Sequence, residues 1–190
     1  MAYEARKAAQ LIAYLIKKSG GRSLNLLKTV KLVYLADRES VARYGFPILD
    51  EPRYSLDHGP INSKTLNRIN GGFNSEIEEL DWSEYLTDRE HNEIGLSAEG
   101  VSLDDLDELS EADIECLDAV WERFGHMTPS GLRNWTHDNL PEWQDPNGGR
   151  IPITMLGMMR GIGIDDAEHM ARLNESFKDV DLAFAMARAG

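Results

Sequence analysis

The sequence predicts a mainly α-helical fold: a single compact multi-helix domain carrying one small antiparallel β-hairpin. Three observations predict it. Apolar residues recur at three- and four-residue spacing through most of the chain, in stretches bounded by capping residues, glycine or proline. Period-two alternation is confined to one short stretch. No linker, internal repeat or low-complexity segment divides the 190 residues, a length at which one domain burying roughly 70% of its unfolded surface is expected.

Each element has its own signal. Ala5, Ala9, Ile12, Leu15 and Ile16 share a face, which predicts a helix over residues 4–18 closed by Gly20-Gly21. Ser23 is the expected cap of a second helix over 24–44. Its middle, from Leu32 to Ala36, is apolar almost all round and belongs at the centre of the core; Gly45 stops it. Pro47, Pro52 and Pro60 make 46–60 a loop with one extended piece at Arg53–Leu56, and Pro60 is expected to start the next helical region. Asn62 or Ser63 caps that short helix, which ends at Gly71-Gly72. Trp82, Tyr85 and Leu86 lead into the polar stretch 87–92, after which Ile94 and Leu96 alternate with Glu93, Gly95 and Ser97, so the hairpin falls within 78–97. Ser110 with Asp113 three residues on opens a helix whose stripe is Ile114, Leu117, Val120, Trp121 and Phe124. Thr128-Pro129 starts another, ending near His137. Residues 138–149 read as loop, 153–160 as a short helix and 165–188 as a last helix with the single stripe Met170, Leu173, Phe177, Val180, Phe184 and Ala187.

Charge is unevenly distributed. The formal charge is −13, from 33 acidic and 20 basic side chains. Residues 1–75 hold 12 basic and 6 acidic groups, whereas 76–118 hold 17 acidic residues and Arg89 as the one cation. That acidic block reads either as a solvated rim or as a docking surface for a basic partner. The balance argues against nucleic-acid binding by the chain as a whole, because phosphates need clustered Lys and Arg. The charged start is not a signal peptide, and no run approaches the roughly 20 apolar residues of a membrane span, so a cytoplasmic protein with no membrane contact is expected.

Little in the sequence points to catalysis. Cys116 is the single cysteine and falls on a buried stripe, where an inert thiol is expected. His58, His91, His126, His137 and His169 show no metal-ligand spacing, and the glycine pairs match no phosphate-binding motif. No cofactor, metal or catalytic residue is assigned. Two constellations do stand out. Lys31, Tyr34 and Arg38 share one face of the second helix, followed by Tyr54 and the turn His58-Gly59-Pro60. Trp135 and His137 are followed closely by Trp143 across a proline loop. Each reads either as structural packing or as a recognition surface, for which Tyr and Trp are the usual anchors.

In their order and spacing these pieces resemble the Panacea domain, the SocA-type antitoxin family of toxin–antitoxin systems. The matching residues are L-x-K-x-V-K-L-V-Y-L-A-D over 26–37, Tyr44-Gly45-x-Pro47-Ile48, Tyr54, and His58-Gly59-Pro60-Ile61. Further on come L-S-E-A-D at 109–113, Leu117 to Trp121, Phe124-Gly125, and T-H with P-x-W over 136–143. Ser55-Leu56-Asp57 departs from the pattern. The resemblance implies a domain over 1–163 with 164–190 as a C-terminal helix packed on it or extending it. It implies a non-enzymatic antitoxin that neutralises a cognate protein toxin by direct binding, through Lys31, Tyr34, Arg38, Tyr54, His58, Trp135, His137 and Trp143. One branch of the family delivers its toxin to the ClpXP protease, which makes a protease the second implied partner. An enzyme of unrecognised type and a DNA-binding regulator are the readings outside the resemblance.

Overall fold

In the computed structural model, which describes residues 4–97 and 101–189, helices α1 (Ala5–Lys18) and α2 (Leu26–Tyr44) form the centre. The apolar middle of α2 is enclosed, with Leu32, Val33, Tyr34 and Ala36 wholly inaccessible. Helices α5 (Glu111–Phe124), α6 (Pro129–Asn139) and α7 (Met155–Ile162) pack around it. On the far side of α1 lies α4 (Glu76–Ser83). Between these come α3 (Ser63–Ile69) and, at the C-terminal end, α8 (Ala167–Ala189), which packs on α7. Capping follows the sequence at α5 and α6, and α7 adds a cap that was not singled out. Ser110 and Asp113 close a reciprocal box on α5; Thr128 accepts from Gly131 N ahead of Pro129; Thr154 accepts from Gly157 N at α7.

Two strand systems are antiparallel and small. β1 (Ser23–Asn25) pairs with β4 (Glu93–Gly95), and β2 (Arg53–Leu56) lies between β3 (Gly59–Asn62) and β5 (Ile151–Ile153). The extended piece expected at Arg53–Leu56 is therefore present as a central strand.

Four expectations are corrected. Ser23 does not cap α2: it lies in β1, and Asn25 Oδ1 takes the Lys28 N–H instead. Pro60 does not start a helix but pairs with Ser55 in the ladder, on an edge strand where its missing N–H costs nothing. Residues 76–83 are a helix capped by Ser75 with three glutamates in its first turn, rather than part of a hairpin. The segments around 87–92 do fold back, with bridges at Leu86↔Leu96 and Glu90↔Glu93, yet the ladder of Ile94 is made with Leu24 of β1. Alternation reports that one face of 93–96 is buried; it carries no information about which strand lies alongside.

The second sheet is fastened to α2 by a buried ionic knot. Asp37, with no exposed surface, accepts from Arg53 Nη2 at 2.5 Å, Asn62 Nδ2 at 2.7 Å and Leu49 N at 2.8 Å. Arg53 Nε also donates to Asp37 at 3.2 Å, and its Nη1 and Nη2 donate to the carbonyls of Glu51 and Leu49. Glu51 in turn accepts from the hydroxyl and N–H of Thr65, which brings α3 in; burial pushes its carboxyl up to about 7. Removing the acid strands a guanidinium in the core. We expect Asp37→Ala to lower unfolding free energy in urea by about 3–5 kcal/mol, with the far-ultraviolet spectrum retained before the transition.

Candidate functional site

The β2–β3 hairpin, the first turns of α2, α3 and the start of α6 enclose a groove of about 750 Å³. Its walls are mostly apolar: Leu26, Leu27 and Val30 from α2, Leu56 and Ile61 from the hairpin, Leu66 from α3. Polar groups rim it, among them Asn25, Asp57, His58, Asn92 and Ser130. A neighbouring depression of about 490 Å³ shares Leu56, Ile61 and Leu66 and adds Tyr54, Arg68 and Arg150. The Arg150 guanidinium lies 5.0 Å from the Tyr54 ring centre. Apolar walls with a few placed polar groups are the usual composition of a binding cleft.

Lys31 lies against this groove without reaching solvent, its Nζ donating to Pro60 O at 2.8 Å. Burial brings its pKa down to about 7, and the positive charge of Arg133 acts in the same direction. Gly59 is what allows the approach. It has φ 93°, and a Cβ there would stand 2.8 Å from Thr136 Oγ1 and 3.1 Å from Lys31 Nζ.

The polar strip expected on α2 exists and faces inward. Tyr34, wholly buried, donates its hydroxyl to Glu142 Oε1 at 3.1 Å; burial and the adjacent carboxylate hold its pKa well above 10. Arg38 reaches the same oxygen at 2.7 Å and donates to Gly161 O at 3.0 Å. Glu142 Oε2 has no partner and sits where Gly161 leaves room, since a Cβ there would be 2.3 Å away. His137 stacks on Trp143, ring centres 3.9 Å apart and 8° from parallel, and Trp143 Nε1 donates to Leu56 O. Burial lowers the His137 pKa, with Arg133 and Lys31 adding to the effect.

The sequence-predicted residues thus fall into layers. His58 and Tyr54 stand at the groove and its neighbour, His58 exposed at the hairpin tip and Tyr54 half-buried. Lys31, Tyr34, Arg38, His137 and Trp143 lie behind, bracing the hairpin and the loop after α6. Trp135 does not join His137 and Trp143; it packs on Phe124 at 4.5 Å with Arg123 over its ring. The walls of the groove and the partners of Asp37 were not singled out from sequence. The available signals were the adjacent Leu26-Leu27 in a first turn, and one carboxylate within the apolar run 32–37. Among the described residues no group of three His, Cys, Asp or Glu side chains is placed to hold a metal, and no helix is long and apolar enough to cross a membrane. Cys116 is buried, with its thiol pushed up to about 11.

Comparison with family models matches residues 30–144 to the antitoxin SocA-like Panacea domain. The chain belongs to this antitoxin family. The Panacea match runs from α2 through the loop after α6, and so takes in the buried knot, the hairpin and most of the groove wall. No curated protein and no solved structure matches the chain.

The buried amine of Lys31 gives this domain a pH signature. Between pH 7 and 10.5 the folded state has released a proton that the unfolded chain still binds, so stability rises with pH across that window. Chemical unfolding of wild type and Lys31→Met is expected to show a difference that shifts toward wild type by a few kcal/mol from pH 7 to pH 10. A difference that is flat with pH would contradict it.

Proposed function

We propose that the protein is a cytoplasmic antitoxin that neutralises a cognate protein toxin by direct, non-catalytic binding. The observation that carries the reading is the apolar groove of about 750 Å³ set largely within the Panacea-matched stretch. An interface needs a few desolvated anchors surrounded by water-excluding contacts, and the groove offers apolar walls for anchors supplied by the toxin. His58 and Tyr54 make contact at its edge. Lys31, Tyr34, Arg38, His137 and Trp143 set the hairpin that shapes it, and Trp135 holds α6 in place. Residues 1–163 form the toxin-binding domain and 164–190 a helical extension of it. The acidic block of 76–118 raises the encounter rate with a basic toxin without itself being the contact.

The test is co-expression with the product of the adjacent reading frame, read as growth, co-purification and toxin abundance. Rescue with a stable complex and undiminished toxin is the expected result. Leu27→Glu and Leu66→Glu, both half-buried in the groove walls, are expected to weaken binding at least about tenfold (roughly 1.4 kcal/mol) while the helical signal is kept. Rescue by these variants at full strength would remove the groove from the interface. Toxin that disappears only in cells with an active ClpXP protease would replace sequestration by delivery to the protease.

A further inference from the structure

Helix α8 carries an apolar seam that its own fold leaves uncovered. Leu173, Phe177, Val180 and Phe184 are 37, 56, 49 and 63% exposed. Their spacing is four, three and four, the alternation that keeps a straight row of side chains facing a second helix. Ala171 and Asn174, on a different side of α8, are buried against the body, and Asn174 Nδ2 is bonded to Gly45 O at 2.7 Å. The row is thus offset from the side of α8 that is most deeply buried, and of its members Phe177 also touches the body, at Phe46. Phe46, 37% exposed, meets the Phe177 ring edge-on at 5.5 Å and widens the seam, and Tyr44, 43% exposed, lies two residues away in the chain. A contiguous apolar patch of this kind marks an interaction surface.

From these observations we infer that the seam pairs with the same seam of a second copy of this chain, forming a homodimer through α8. Three facts select that occupant. The row is a narrow heptad-type seam, which suits one partner helix better than a broad surface. Residues 167–189 hold four acidic and three basic side chains, so this helix is close to neutral in a chain of formal charge −13. Two copies can approach here with little local repulsion, whereas a basic partner is drawn to 76–118. The seam also lies wholly outside the Panacea match of 30–144, which separates it from the part of the chain shared with other antitoxins of the family. The inference therefore stands whether or not the toxin reading holds. A paired seam about 20 Å long, flanked by Phe46, falls at the small end of specific interfaces, about 1,200 Å² in total. The dimer is accordingly reversible, with dissociation on the order of micromolar.

Sedimentation velocity of the full chain alone, from about 1 to 100 µM, tests this. The expected result is a shift from the 21.4 kDa monomer toward twice that mass, strengthened by added salt because the net charges of the copies repel. Val180→Glu with Phe184→Glu places like charges across the seam and is expected to give monomer throughout, with unchanged circular dichroism. The milder Phe184→Ser, which keeps the helix, is expected to raise the dissociation constant at least about tenfold. Ile77→Glu, at an exposed position on α4, leaves the dimer intact. A wild type that stays monomeric at every concentration overturns the inference, as does a dimer that survives both seam variants.

Discussion

Asp37 lies in α2 with no exposed surface, and its carboxylate is held by a guanidinium, an amide and a backbone N–H that come from three different segments. A charge so placed is tolerated only if every lone pair finds a donor, and meeting that demand dictates where β2, β3 and the 46–52 loop must run. The second layer of the knot, Glu51 with Thr65, adds α3. Apolar burial alone would drive the same helices together, but it is non-directional and would leave the hairpin's register loose. Once the knot forms, Ser55 faces Pro60, Tyr54 faces Ile61, and the groove between hairpin and α2 has a shape.

Behind that groove the polar residues of the Panacea domain act mainly as internal braces. Lys31 holds Pro60 from below, Tyr34 and Arg38 share one oxygen of Glu142, and the stacked pair His137 and Trp143 secures Leu56. Together they tie α2 and α6 to the β2–β3 hairpin and to the loop after α6. Such anchoring holds the groove wall on a short hairpin without a large sheet.

The molecule also separates its charge by region. Arg6 of α1 meets Glu84, and Lys7 meets Asp113, so the acidic block is partly neutralised where it touches the body. Other parts of it are exposed, including Glu76 and Glu79 of α4 and the 3₁₀ turn at Leu103–Asp105. The groove instead has Lys31, Arg68 and Arg150 in or beside it, and α8 is near neutral. One small domain thus presents three surfaces of different electrostatic character.

Every helix position but that of α4, several caps and the central place of α2 were legible in the sequence, because helical periodicity and capping are relations among residues four or fewer apart. Arg53–Leu56 was legible as an extended piece for the same reason. The resemblance carried by Lys31, Tyr34, His58-Gly59-Pro60 and Pro141-x-Trp143 pointed to the family that the match over 30–144 establishes. The partner of each strand was not legible. β1 joins β4 across some seventy residues and β2 joins β5 across nearly a hundred, and alternation shows a buried face without naming a neighbour. Nor could the sequence tell that Lys31, Tyr34 and Arg38 turn inward. Whether a polar strip on a helix meets water or a carbonyl depends on what packs over it, and here the covering segments, Pro60 and Glu142, lie 29 and 108 residues from their partners. Contacts at such separation are decided by the tertiary fold, because only global packing brings those atoms within hydrogen-bonding range.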